Sequence, residues 1–300
     1  MRTTILAALA ALGLLAPATA TASQLGDQMR AAHAAAAPFA DHRAMRRAGW
    51  KPFGGHASLM GRHWYDPSNP DYVAGEAMDP SRFSNLLYAE IGGRQRLVSV
   101  AYNYRISDAD PLPAGFAGGR DVWHVHDVGR FADAVSQGRP LLRWAAETFL
   151  APEFEGDDGV TRDRLAMVHY WLIPNPDGQF ASHNRALAYL QLGLPADWAD
   201  GATKEAARGL ALAGPDGCKV EIDAQAWMGG LSGGAKRRLH SACRQVVAHV
   251  RPRLGSKAEA NAAGEAAWAA FDRVWRETVT PAQQYRIDAI VEDGPGLLCR

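Results

Sequence analysis

The chain has little cysteine: Cys218, Cys243 and Cys299 are its only three in 300 residues, and none lies in a CxxC or CxxCH arrangement. Thioredoxin-type redox chemistry, a zinc ribbon and covalent haem attachment therefore lack their residues. An excess of charge is also missing, since Lys+Arg and Asp+Glu number 32 each. Without a basic stripe there is no electrostatic footprint for nucleic acid, which is excluded as an expected partner. Beyond residue 22 no apolar run approaches the about 20 residues of a membrane-crossing helix, so no span is expected in the mature chain. Gly-x-Ser-x-Gly, His-Glu-x-x-His, a P-loop and a Rossmann glycine fingerprint are all absent. Leu231-Ser232-Gly233-Gly234-Ala235-Lys236 is glycine-rich but lacks P-loop spacing, and reads as part of a loop over Gly229 to Gly234.

What is present starts with an export signal. A basic Arg2, an apolar stretch from Ile5 to Ala16, Pro17 and the small residues Ala18 to Ala22 have the order of a secretory leader. The expectation is a signal peptide over 1–22 and a periplasmic or secreted mature chain over 23–300. An oxidising destination makes the cysteines disulfide candidates, with one left over. The preferred reading ties the tail at Cys299 back to the body.

The mature chain reads as a single α+β domain, strand-rich over 50–180 and helical over 185–300. A mainly antiparallel sheet in the middle of the chain is packed against by N- and C-terminal helices. Gln24 to Ala48 predicts helix broken near Pro38, with Arg43, Arg46 and Arg47 on a solvated face. Strands are predicted over Leu86–Ile91, Leu97–Ile106, Asp121–His126 and Leu165–Ile173. Gly92-Gly93 turns the first two into a hairpin. Along Leu97–Ile106, alternation places Val98, Val100, Tyr102, Tyr104 and Ile106 on an inward face and Ser99, Ala101, Asn103 and Arg105 on the other. Val128 to Leu150 is a helical insertion broken at Gly138-Arg139-Pro140. Helices are predicted over Lys236–Val250, Lys257–Thr278 and Pro281–Val291, the last capped by Thr280.

Candidate chemistry rests on the ten histidines. His124 and His126 are two apart, so on a strand they share a face with Cα atoms about 6.5 to 7 Å apart, and both rings can reach one ion. His169 lies in the apolar run Leu165–Ile173, where burial obliges its ring nitrogens to find a hydrogen bond or a metal. His63, after Gly61-Arg62, enters from a strand end. Together these four predict a site for a divalent ion of the Zn, Cu or Fe type. Glu90 and Asp127 are the carboxylates placed to act as ligand, ligand-orienting partner or general base.

Met60-Gly61-Arg62-His63, Leu86-Leu87-Tyr88, Arg96-Leu97-Val98-Ser99-Val100-Ala101-Tyr102 and Val168-His169-Tyr170-Trp171 followed by Asn175-Pro176-Asp177-Gly178-Gln179-Phe180 occur in this order. This succession, over Met60 to Asn184, resembles a group of uncharacterised secreted proteins with Met-Gly-x-His, Leu-Val-Tyr-Glu, Leu-Val-x-Val-Glu-Tyr and His-x-Trp…Asn-Pro-x-Gly-x-Phe segments. The resemblance implies that His63 and His169 are the group's motif histidines, and it carries no activity. Ala89 and Ala101 stand where the group has acidic residues, and the Trp123-His124-Val125-His126 segment offers substitute ligands.

The expected function is an exported protein that binds a divalent metal through histidines on the central sheet, with metal-dependent hydrolytic or oxidative chemistry as an extension. The alternative is a non-catalytic periplasmic binding or interaction module, in which aromatic residues line a small-molecule pocket or a partner surface and the histidines are framework. Neither substrate nor oligomeric state is legible in the sequence.

Overall fold

The computed structural model describes residues 16–118, 123–145, 148, 154–156, 158–215 and 217–289. Two helices, α1 (Ala16–Ala36) and α2 (His42–Arg47), joined by a 3-10 turn over Ala37–Ala40 that contains Pro38, precede the first strand. The expected break at Pro38 is where the α-helix ends. α1 begins at Ala16, inside the expected leader, and continues past Ala22.

The strands are β1 (Lys51–Ala57), β2 (Gly61–Tyr65), β3 (Tyr72–Val73), β4 (Asn85–Ile91), β5 (Arg94–Ile106), β6 (His124–Asp127) and β7 (Arg164–Trp171). They form one sheet in the order β1-β2-β4-β5-β7-β6, antiparallel throughout except for the short β3, which runs parallel beside β5. The insertion between β6 and β7 contains α3 (Val128–Ser136) and α4 (Pro140–Ala145), and after β7 come α5 (Ala186–Gln191), α6 (Lys204–Ala213), α7 (Gly217–Gly229), α8 (Gly233–Val250), α9 (Lys257–Thr278) and α10 (Pro281–Asp288). The chain is thus α+β with a mid-chain sheet and helices at both ends. Helices α6 and α7 fall within the stretch expected to be helical, which gave no bounds for them, and the expected Gly229–Gly234 loop shrinks to 230–232 because Gly229 closes α7 and Gly233 opens α8. Thr280 caps α10 as expected: its side chain accepts from the Gln283 amide, which completes a capping box.

The β4–β5 hairpin closes through Ile91 paired with Arg94, and Gly92 and Gly93 take φ of 60° and 71°. Two consecutive positive φ angles define the primed turn whose twist suits a hairpin. Alternation along β5 holds from Val100 onwards: Val100, Tyr102, Tyr104 and Ile106 pack with Leu86, Tyr88, Trp64 and the N-terminal helical residues Ala32, Ala36 and Met45. Val98 departs from it. Ser99 pairs with Leu87 and Leu97 with Tyr88, so Val98 is the extra residue of a bulge. It packs with Leu87, Ala89, Ala101, Met167, Trp171 and Leu187 on the opposite face.

That opposite face is not solvated either. Ser99, Ala101 and Asn103 are buried beneath the C-terminal half, and a second core of α5 to α10 packs beyond them. Both faces of the central strands are therefore covered, as in a three-layer arrangement.

Cys218 on α7 and Cys243 on α8 form a disulfide, with Cα atoms 5.6 Å apart. This corrects the expected bridge from Cys299, because the pairing uses both of the other cysteines; Cys299 itself lies outside the described residues. The cross-link closes a loop of 25 residues, for which the chain-entropy relation gives about 3.5 kcal/mol of stabilisation. Replacing both cysteines by Ala is expected to lower the unfolding free energy by about 2 to 4 kcal/mol in urea titrations, with the fold retained.

Gly61 gives a physical reason for the Met-Gly-x-His spacing. Its φ is 87°, and a Cβ there would stand 2.6 Å from the Tyr88 carbonyl oxygen on β4. Gly61→Ala combines left-handed strain with a backbone clash, and is expected to destabilise by about 2 to 4 kcal/mol in the same assay.

Candidate metal centre

Pairing fixes which side chains share the buried C-terminal face. His63 is opposite Leu87, Leu87 opposite Ser99, and Ser99 opposite Trp171; His169 is opposite Ala101, and His124 opposite Met167. Cross-strand partners project to the same side, so all four predicted histidines lie on one face, the one that also carries the small residues Ser99 and Ala101. The two alanines at the group's acidic positions, Ala89 and Ala101, lie on this face as well. The expected opposition of His124 and His126 to Trp123 and Val125 holds, since the latter two pack in the N-terminal core.

The rings form a connected row. His63 and His169 bring their Nε2 atoms to 3.4 Å. The ring centroids of His169 and His124 are 4.9 Å apart and those of His124 and His126 are 5.0 Å apart. His169 is fully buried and His63 and His124 nearly so, whereas His126 is half-buried at the strand end.

A fifth imidazole was missed. The chain after β7 folds back on it: the Trp171 amide donates to Gln179 O, the Trp171 indole to Ala181 O at 2.6 Å, and the Asn175 side-chain amide to His183 O. This return places His183 beside His169 and His126, and Ser182 Oγ lies 2.9 Å from His183 Nδ1. The Asn-Pro-Asp-Gly turn was the available signal, since a tight turn after a strand brings the following residues back over it.

The hydrogen bonds define roles. His169 Nδ1 lies 2.8 Å from the Ser182 carbonyl oxygen. A carbonyl only accepts, so Nδ1 carries the proton and Nε2 presents its lone pair. A backbone carbonyl behind the ring is the usual way a metal-binding imidazole is oriented. Nε2 of His63 faces that lone pair. Two nitrogens bound tetrahedrally to one zinc ion at about 2.0 to 2.1 Å stand about 3.4 Å apart, which is the separation found here. His124 is different: it is buried with both ring nitrogens lacking any hydrogen-bond partner. Among the described residues, no group of three or more His, Cys, Asp or Glu side chains is placed so that it could hold a metal ion as the side chains stand.

Burial and mutual repulsion keep these rings neutral. Loss of solvent pushes the His124 pKa well below its ordinary 6.5, helped by His169, His126, His183 and His63. His169 is pushed down to about 4 by burial, against the Ser182 hydrogen bond, which acts the other way. His183 falls to about 3 through burial, then His169, Lys204 and Arg208. Neutral imidazole is the metal-binding form.

The two predicted carboxylates are elsewhere. Glu90 shares a face with Tyr88, away from His63, and lines a cleft on the N-terminal side of the sheet. The backbone alternation of β4 decides this. Asp127 caps α3, its Oδ1 accepting from the Arg130 amide at 2.6 Å. The histidine row contains neither.

Scans of family models and searches of curated proteins and of solved structures find no match for this chain.

A depressed histidine pKa destabilises the fold where the unfolded chain takes up protons that the native one refuses. Stability is therefore complete above pH 6.5 and is lost as pH falls towards about 4, the folded value for His169. Between pH 7 and pH 5 His169 alone accounts for about 2 kcal/mol. Urea unfolding of metal-free protein at the two pH values checks this, and His169→Gln is expected to flatten the dependence.

Proposed function

We propose that this is an exported protein that binds one divalent ion, of the Zn, Cu or Fe type, through His63, His169, His124 and His126. The observation that carries the reading is His124, a buried imidazole without a hydrogen bond beside the His63–His169 pair. An unpartnered buried polar group costs roughly 1 to 3 kcal/mol. A metal ion removes that cost, and no hydrogen bond has to be broken for the His124 ring to turn towards the pair. An all-imidazole set suits Zn, Cu or Fe better than Mg or Ca. Export is supported by the Cys218–Cys243 bridge, and no helix among the described residues is long and apolar enough to cross a membrane.

The neutral ligand set leaves both charges of the ion uncompensated, and Lys204 and Arg208 add positive potential beside His183. Such a centre favours an anionic fourth or fifth ligand. Held there, the ion would supply Lewis-acid and water-activating chemistry. With Glu90 and Asp127 outside the row, His183, beside His169 and His126, is the base within reach.

Tag-free protein titrated with Zn²⁺ or Cu²⁺ is expected to take up about one equivalent, and His63→Gln/His169→Gln to weaken binding by at least about a hundredfold. Asp127→Asn, which preserves the helix cap, is expected to bind as wild type. Uptake below about a tenth of an equivalent by the wild type overturns the reading and leaves the histidines as framework of a binding module.

A further inference from the structure

The N-terminal side of the sheet has a site of its own. A cleft of about 540 Å³ opens between α2, β1, β2 and β4. Trp50, Trp64 and Tyr88 form its buried floor, while Arg46, Lys51 and Arg62 stand exposed at its rim. Three cations face one carboxylate there, Glu90. The guanidinium carbons of Arg62 and Arg46 lie 5.5 and 6.0 Å from the Trp64 ring centroid, within cation–π reach of the indole that floors the cleft. Arg46, exposed on its helix face as expected, also lines this cleft.

Two polar atoms on lining side chains lack partners. Trp64 is 7% exposed, and its buried indole Nε1–H has no acceptor. His42 Nε2 is likewise buried without a partner. His42 packs edge-on against Trp64 and Tyr88, with centroids at 5.1 and 4.9 Å. Burial, then Arg46, lowers the His42 pKa, with Asp41 acting the other way. An indole N–H can only donate; what it lacks is an acceptor, and because the atom is closed off from solvent the side chains packed over it must part for a ligand oxygen to reach it.

From these contacts we infer that the cleft binds a small organic carboxylate with an apolar body. The carboxylate would be held between Arg46 and Arg62 with an oxygen directed to the Trp64 indole, and its apolar part would lie over Trp50. The volume lies within the range of small-ligand pockets, roughly 300 to 1,000 Å³. A guanidinium fork matches carboxylate geometry. This site faces away from the histidine row and is independent of whether that row holds a metal.

Calorimetric titration with benzoate, benzamide and inorganic phosphate tests the inference. Benzoate is expected to bind one to one with Kd of about 1 mM or tighter, and benzamide and phosphate at least about tenfold more weakly. Arg62→Met, at the exposed rim, is expected to weaken benzoate at least about tenfold, and Trp64→Phe, which keeps the ring and removes the donor, about fivefold or more. Glu90→Gln removes the carboxylate that lines the cleft and is expected to tighten binding about threefold. Absence of benzoate binding up to about 10 mM, equal binding of benzamide or phosphate, no loss in Arg62→Met, or no gain in Glu90→Gln would each overturn it. If Trp64→Phe fails to fold, as judged by near-ultraviolet circular dichroism, the Arg62 and Glu90 variants decide.

Discussion

Both faces of the sheet are covered, and this constraint governs everything polar that the central strands carry. Where one face meets water, a histidine or serine on a strand is satisfied by solvent. Here Ser99, His169 and His124 have no such recourse. Ser99 donates to the Tyr170 carbonyl and His169 to that of Ser182. His124 has neither, and on the histidine face its two ring nitrogens stay outside the internal accounting of hydrogen bonds. On the other face Tyr102 donates to Pro80 O and Tyr72 to Arg82 O, so these two hydroxyls also fasten the connections between strands.

Much of this was legible in the sequence where local pattern and final packing agree. The period of two on β5 from Val100 onwards, the Gly92-Gly93 turn, the break at Pro38 and the Thr280 cap are short-range features, and they survive folding. The joint placement of His124 and His126 was legible for the same reason, since residues two apart on a strand share a face whatever surrounds them. The approach of His63 to His169 is a long-range fact, and only the order of the motif segments hinted at it.

What was not legible depends on partners distant in the chain. Val98 changes face because of a bulge set by pairing with β4, and no residue in β5 announces it. Glu90 was drawn towards the histidines by its sequence neighbourhood, yet its shared face with Tyr88 directs it to the other side of the sheet. His183 has no period to betray it; it is delivered by a returning loop. The alanine-rich Lys204–Ala213 shows no clear polar face, because almost every residue of that helix is buried, and amphipathic periodicity fades when a helix is surrounded.

The cross-link between Cys218 and Cys243 reaches further than the two helices it joins. Glu221, on the same helix as Cys218, accepts the backbone N–H of Ser58 at 2.8 Å and is braced by Gln225. Ser58 lies just ahead of Gly61, where β2 begins, and β2 alternates Arg62 and Trp64 towards one site with His63 towards the other. A single covalent bond between sulfur atoms thus anchors, through one carboxylate, the strand on which both clusters depend. The redox state of the compartment becomes a mechanical boundary condition on each of them.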